Sequence, residues 1–255
     1  MDLELTERAF LITGGTDGLG LALAQRLIDE GARVAVCGRD AVRLGDAQAS
    51  LGPDALCFEA DVTRSGQLDA FVDATLARFG RLDGVVNNAG RSAGYPVASS
   101  LDQQWREDYE LKVVAALHLV RRTLPALETT KGSVLNVLAI LARAPPANST
   151  PTSASRAAGL AFTKALANEV GPRGIRANAI LIGLIESGQW VRRAKDAGTS
   201  LEDFYGAMAE RSGIPLGRVG RAEEFADVAT FLLSPRSTYV TGVGVSVDGG
   251  MSAVI

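Results

Sequence analysis

The residues best suited to chemistry form a glycine-rich turn, Thr13-Gly14-Gly15-Thr16-Asp17-Gly18-Leu19-Gly20, between an apolar stretch and a helical one. A turn leading into a helix presents backbone N–H groups and the positive end of the helix dipole, a site for pyrophosphate. Gly14, Gly18 and Gly20 keep side chains away from the approaching phosphates, and Thr16, Asp17 and Leu19 complete the turn. Following a first strand and opening a first helix, the pattern is that of a dinucleotide cradle. A second feature is Cys37-Gly38-Arg39 at the end of the next apolar run. A carboxylate there would accept from the ribose 2′-OH of NAD. A guanidinium suits a 2′-phosphate instead. Arg39 therefore favours NADP over NAD, with a solvated surface charge as the bland alternative and Asp40 next to it keeping NAD open.

The elements that must position these residues alternate from end to end. Apolar runs at residues 9–13, 34–37, 55–59, 82–87, 133–138, 175–181 and 243–247 read as strands. Residues 19–30 have helical apolar spacing (Leu19, Leu23, Leu27) and stop at Gly31, and Asp40 is placed to cap a second helix. Longer helical patterns cover 101–127 and 153–170. Near-continuous apolar strands between amphipathic helices imply α/β architecture: one doubly wound Rossmann domain over 1–255, a seven-stranded parallel sheet with helices on both faces. The one stretch read as irregular, about 183–212, is long enough to be a substrate loop.

Over nearly its whole length the chain resembles the short-chain dehydrogenase/reductase family. The resemblance is carried by the Thr13-to-Gly20 turn, Asp61-Val62 after the third strand, Asn87-Asn88-Ala89-Gly90 after the fourth, Gly183-Leu184-Ile185-Glu186-Ser187 after the sixth, and Asp248-Gly249-Gly250. It implies that Asp61 accepts from the adenine amino group while the Val62 amide donates. It places Asn88, Ala89 and Gly90 along the adenosine ribose and central cofactor region, and Ile185 and Ser187 against the nicotinamide carboxamide. Ile182 stands where the family usually has proline.

The catalytic slots depart from that pattern. The family uses a tyrosine for the proton that accompanies hydride transfer, a lysine four residues on, a serine about thirteen residues upstream and an asparagine on the preceding helix. By spacing, these slots hold Thr152, Arg156, Ala139 and Lys112, so the chain resembles a divergent subgroup lacking Tyr-x-x-x-Lys. None of Tyr95, Tyr109, Tyr205 and Tyr239 has a lysine at the fourth following position. A threonine hydroxyl is a far weaker acid than a phenol of pKa about 10, and arginine stays protonated, although Arg156 could still bind ribose hydroxyls. Candidate replacements for the missing acid are Thr152 itself, Ser153, Ser149, Thr150, Tyr95, and Lys112 if desolvation lowers its pKa. The hydroxyls read equally as helix-cap or turn groups, Lys112 as a structural or surface cation and Tyr95 as a pocket cover. Trp190 could close over an apolar substrate, and Arg192 or Arg193 could meet a carboxylate or phosphate; a surface helix with solvated arginines and a core-anchored tryptophan is the alternative.

Composition limits the rest. The 255 residues are 47% hydrophobic and 22% charged with net charge −3, which fits a globular protein and offers no basic nucleic-acid footprint. Cys37 and Cys57 fall in strands read as buried, as expected of a reducing compartment, and one histidine leaves no metal site. No apolar run reaches membrane-spanning length. The N-terminus lacks signal-peptide features, so a cytoplasmic protein is expected. By resemblance the chain is expected to be a homotetramer or homodimer acting on a small molecule. The leading reading is an NAD(P)-dependent carbonyl/alcohol oxidoreductase with a non-standard site. The alternatives are a catalytically silent dinucleotide-binding protein and a non-redox lyase or isomerase on the same fold.

Overall fold

The structure, a computed structural model, describes residues 1–255. The strands are β1 (Ala9–Thr13), β2 (Arg33–Gly38), β3 (Leu56–Glu59), β4 (Gly84–Asn87), β5 (Gly94–Tyr95), β6 (Ser133–Ala139), β7 (Thr150–Pro151), β8 (Arg176–Ile182) and β9 (Gly244–Val247). Seven of them form one sheet in the order β3-β2-β1-β4-β6-β8-β9, every pair parallel. β5 and β7 make a separate two-stranded antiparallel ribbon. The helices are α1 (Gly18–Asp29), α2 (Ala41–Leu51), α3 (Ser65–Phe79), α4 (Asp102–Tyr109), α5 (Ala115–Thr130), α6 (Thr152–Val170), α7 (Gly188–Asp196), α8 (Leu201–Arg211) and α9 (Ala222–Leu233).

Strand alternation divides the interior in two. On β1, Phe10 and Ile12 join a core with α1 and α9, while Ala9 and Leu11 join one with α3, α5 and α6. A strand whose successive side chains enter opposite cores is apolar on both faces, as Ala9 to Ile12 are; Thr13 ends it, buried with its hydroxyl bonded. The chain order reverses between β1 and β4, and a crevice opens beyond their carboxyl ends, the usual ligand position in such sheets.

Three local readings change. The helix expected over 101–127 is interrupted: α4 gives way to a π-helical turn, Glu110–Val114, in which the Ala115 amide donates to the Glu110 carbonyl, before α5 begins. An inserted residue leaves apolar periodicity almost intact, so sequence spacing does not reveal it. The stretch at 183–212, read as irregular, is mostly helical because α7 and α8 occupy it. Cys57 is only half-buried, since the β3 edge strand is covered incompletely. Asp40 does cap α2, accepting from the Arg43 amide at 3.0 Å.

One side chain ties the sheet to the helix that carries the altered slots. Asn136 on β6 accepts from Asn87 Nδ2 at 2.8 Å and donates through its own Nδ2 to Thr163 Oγ1, also at 2.8 Å. Thr163 in turn donates to the Gly159 carbonyl on α6. Asn136→Leu strands two polar partners, so it should lower stability by about 1–3 kcal/mol, read as a fall in the urea midpoint. An unchanged midpoint would deny that this bridge holds α6 in place.

Candidate functional site

A cleft of about 580 Å³ runs from the glycine turn to the start of α6. At one end the turn is self-braced. Thr13 Oγ1 donates to the Val86 carbonyl and accepts from the Asn88 and Ala89 amides, while Asn88 Nδ2 donates to the Thr13 and Gly14 carbonyls, each at 2.9 Å. Gly14 and Gly18 have φ of +65° and +53°, which L side chains rarely adopt, and a Cβ at Gly20 would collide with the Gly14 carbonyl and the Asn88 amide. Of the residues expected to touch a cofactor, all but Asp61 line the cleft. Asp61 lies 3.6 Å from Arg39. Burial opposes its charge, but hydrogen bonds from Thr63 and the Arg39 guanidinium more than offset this and hold the carboxyl below its ordinary range.

Arg43 is a residue that sequence reasoning missed. It sits in the first turn of α2, just past Arg39, and lines the same end of the cleft, so two guanidiniums stand there, both substantially exposed.

The opposite lip is α7. Ser187 approaches Gly18, a Cβ at Gly188 would collide with the Asp17 carboxylate, and Arg192 lies 3.4 Å from Asp17. Ser187 Oγ is buried without a hydrogen-bond partner. A buried hydroxyl left unpaired is costly unless a ligand completes it. Trp190 lines the cleft and packs near Phe204, with the Arg193 guanidinium 4.8 Å above its ring. Both arginines of this segment are thus engaged with protein groups.

At the far end Ala139 closes β6 and offers no side-chain donor, while Thr152 and Arg156 form the adjoining wall. Arg156 donates to the Val137 carbonyl at 2.5 Å and packs against Gly90. Burial pulls its pKa down to about 10, which leaves it charged at neutral pH. Lys112, on the π turn, is behind the wall with its side chain 2% exposed. Its Nζ donates to Thr152 Oγ1 at 2.6 Å and to Asp108 Oδ1 at 2.5 Å. Burial, then the nearby Arg156 charge, lowers its pKa to about 8, against the partial support of Asp108.

The other candidate hydroxyls are committed elsewhere. Ser153 donates to Ser149 Oγ, Ser149 to the Pro146 carbonyl and Thr150 to the Tyr95 carbonyl. Ser153 and Tyr95 lie outside the cleft wall. Asp108 and Ser155 were not anticipated, although the acid and base at 108 and 112 have the spacing of a helical ion pair.

The family model for enoyl-(acyl carrier protein) reductase matches residues 14–252. The chain is 38% identical over 246 residues to "Granaticin polyketide synthase putative ketoacyl reductase 2" of Streptomyces violaceoruber, covering 94% of each. It superposes with a TM-score of 0.93 on the NADPH-bound short chain oxidoreductase of Pseudomonas aeruginosa PAO1, described as containing an atypical catalytic center, at 37% identity over 98% of this chain and 99% of that one. L-Sorbose reductase of Gluconobacter frateurii, solved with NADPH and L-sorbose, gives 0.93 at 31% identity over the full length of both chains. With the cradle, the sheet order and these matches in agreement, the chain belongs to the short-chain dehydrogenase/reductase family.

Proposed function

We propose that the protein is an NADP(H)-linked oxidoreductase interconverting a carbonyl and an alcohol, with Thr152 exchanging the proton at the substrate oxygen and Lys112 replenishing it. The observation that carries this reading is the 2.6 Å hydrogen bond from Lys112 Nζ to Thr152 Oγ1 at the cleft wall. The cradle fits the cofactor: three glycines hold space that side chains would fill, and the Ser187 hydroxyl lacks a partner. Gly14 to Gly20 and the N-terminus of α1 would hold the pyrophosphate. Asn88 to Gly90 would hold the adenosine side, Arg156 the nicotinamide ribose, and Ile185 and Ser187 the carboxamide. Arg39 and Arg43 would take the 2′-phosphate, in keeping with the NADPH found on two related structures.

The bound nicotinamide supplies or accepts a hydride at the substrate carbon. In reduction, the new alkoxide takes the Thr152 hydroxyl proton. The threonine oxygen takes one from the Lys112 ammonium in the same motion, and Lys112 regains a proton from solvent before the next turnover. A threonine hydroxyl alone is too weak an acid for this at neutral pH. An ammonium near pKa 8, hydrogen-bonded to its oxygen, removes that obstacle. Oxidation runs the same transfers in reverse. With Ala139 in the family's serine slot, this hydroxyl is the one side-chain donor proposed for the oxyanion.

Consumption of NADPH should be seen with some member of a panel of aliphatic and aromatic ketones, L-sorbose and a 3-ketoacyl thioester. Silence across it, with NADPH bound, would favour the silent-binder reading. On the active substrate, Thr152→Val should lower kcat by about 10²–10⁴ while calorimetric NADPH affinity is kept; wild-type kcat would reject Thr152 as the proton donor. Arg39→Ala and Arg43→Ala should each weaken NADPH binding at least tenfold (roughly the weight of one charge-assisted contact) and leave NADH binding nearly unchanged. Equal loss for both cofactors would reject the 2′-phosphate assignment.

A further inference from the structure

The Lys112–Thr152 contact belongs to a closed ring of hydrogen bonds. Asp108, on the last turn of α4, is 1% exposed and uses both carboxylate oxygens: Oδ1 accepts from Lys112 Nζ at 2.5 Å and Oδ2 from Ser155 Oγ at 2.5 Å. Ser155 is one turn beyond Thr152 on α6, and its hydroxyl lies 3.0 Å from the Thr152 carbonyl. The ring therefore runs from Asp108 to Lys112, on to Thr152, along one turn of α6 to Ser155, and back to Asp108. Lys112 lies within the π turn and four residues beyond Asp108.

We propose that Asp108 is the positioning residue of this site: its carboxylate, held by Ser155, aims the Lys112 ammonium at Thr152 and keeps it protonated through neutral pH. The inference rests on the Lys112–Thr152 reading above. The groups around Lys112 make the assignment specific. Arg156 on α6 and Arg91 on the loop after β4 both oppose its charge, and Arg91 is itself paired with Glu107 at 2.8 Å. Asp108 is the carboxylate in direct contact with the ammonium. A lysine facing two arginines, buried and without a carboxylate, would give up its proton well below neutrality and could no longer restore the Thr152 hydroxyl. Asp108 touches neither the cleft nor the reacting atoms, so its effect passes through Lys112.

Asp108→Asn keeps the shape and leaves an amide that can accept from Lys112 and donate to Ser155, while removing the charge. Two readings are taken on wild type and variant: the Lys112 titration midpoint by NMR of protein labelled with 15N at the lysine Nζ, and the pH profile of kcat on the carbonyl compound found active in the panel. Both midpoints should move to lower pH together, by about one to three units, with calorimetric NADPH affinity unchanged. An unmoved Lys112 midpoint would overturn the proposal. A moved Lys112 midpoint with an unmoved kcat profile would also overturn it, reducing Asp108 to a structural partner. If Asp108→Asn does not fold, Ser155→Ala leaves the charge but frees one carboxylate oxygen. It should lose several-fold in kcat at constant NADPH affinity, and wild-type kcat in it would refute the clamp. Silence of wild type across the panel overturns the relay itself, a failure visible before any variant is made.

Discussion

An ammonium buried to 2% exposure must find acceptors inside the protein, and the position of Lys112 between α4 and α6 is governed by that need. It finds two, Asp108 and Thr152, on different helices. Satisfying both fixes the spacing of the helices and the rotamer of Thr152 at the cleft wall. The burial leaves a thermodynamic trace. The folded pKa of Lys112, about 8, lies below the ordinary lysine value of about 10.4. Between those limits the unfolded chain binds the extra proton, so stability rises with pH across the window, and the cost of burying the charge is complete below pH 8. A protein gains nothing in stability from such a group, which is what makes its presence at the end of a cofactor cleft informative.

The two ends of the cleft obey different rules. The glycine turn is held from below by Asn88 and Thr13, and its glycines let it pack against the loop after β4 and the start of α7. The far end is specified by charge and hydrogen bonding among α4, the π turn and α6. α7 joins the two, with Ser187 and Gly188 against the turn and Trp190 in the wall of the cleft. Arg192 and Arg193, which the sequence made candidates for a substrate anion, are turned toward Asp17 and Trp190.

The sheet was legible because its inner strands are apolar runs buried on both faces and its edge strands β3 and β9, though only half covered, still carry apolar residues, and the cradle because its glycines have fixed roles relative to β1 and α1. Counting along the chain puts positions 139, 152 and 156 at the end of β6 and in the first turns of α6, where the structure has them. The π turn was hidden, because one added residue in a helix barely disturbs apolar periodicity. The 108/112 spacing was visible as that of a helical ion pair, but the contact both residues make with α6 was not. Ser155 looked like any small helical residue, and its meaning appears once the Asp108 carboxylate is seen against it. Arg43 gave no signal by itself, since its place at the cleft depends on how α2 starts after the Arg39 turn. The helix at 188–196 was open to reading as a surface helix, whereas the one at 201–211 was hidden in a stretch taken as irregular.

The proposed proton relay depends most on Lys112 being the reservoir of the transferred proton. The most direct measurement is the pH dependence of kcat for carbonyl reduction at saturating NADPH, in wild type and Lys112→Met. If the ammonium feeds Thr152, wild-type kcat is level below about pH 8 and falls above it as Lys112 deprotonates. In Lys112→Met that descending limb disappears along with most of the rate. A limb near pH 8 that survives in Lys112→Met, or a wild-type profile that stays level well above pH 8, would contradict the relay.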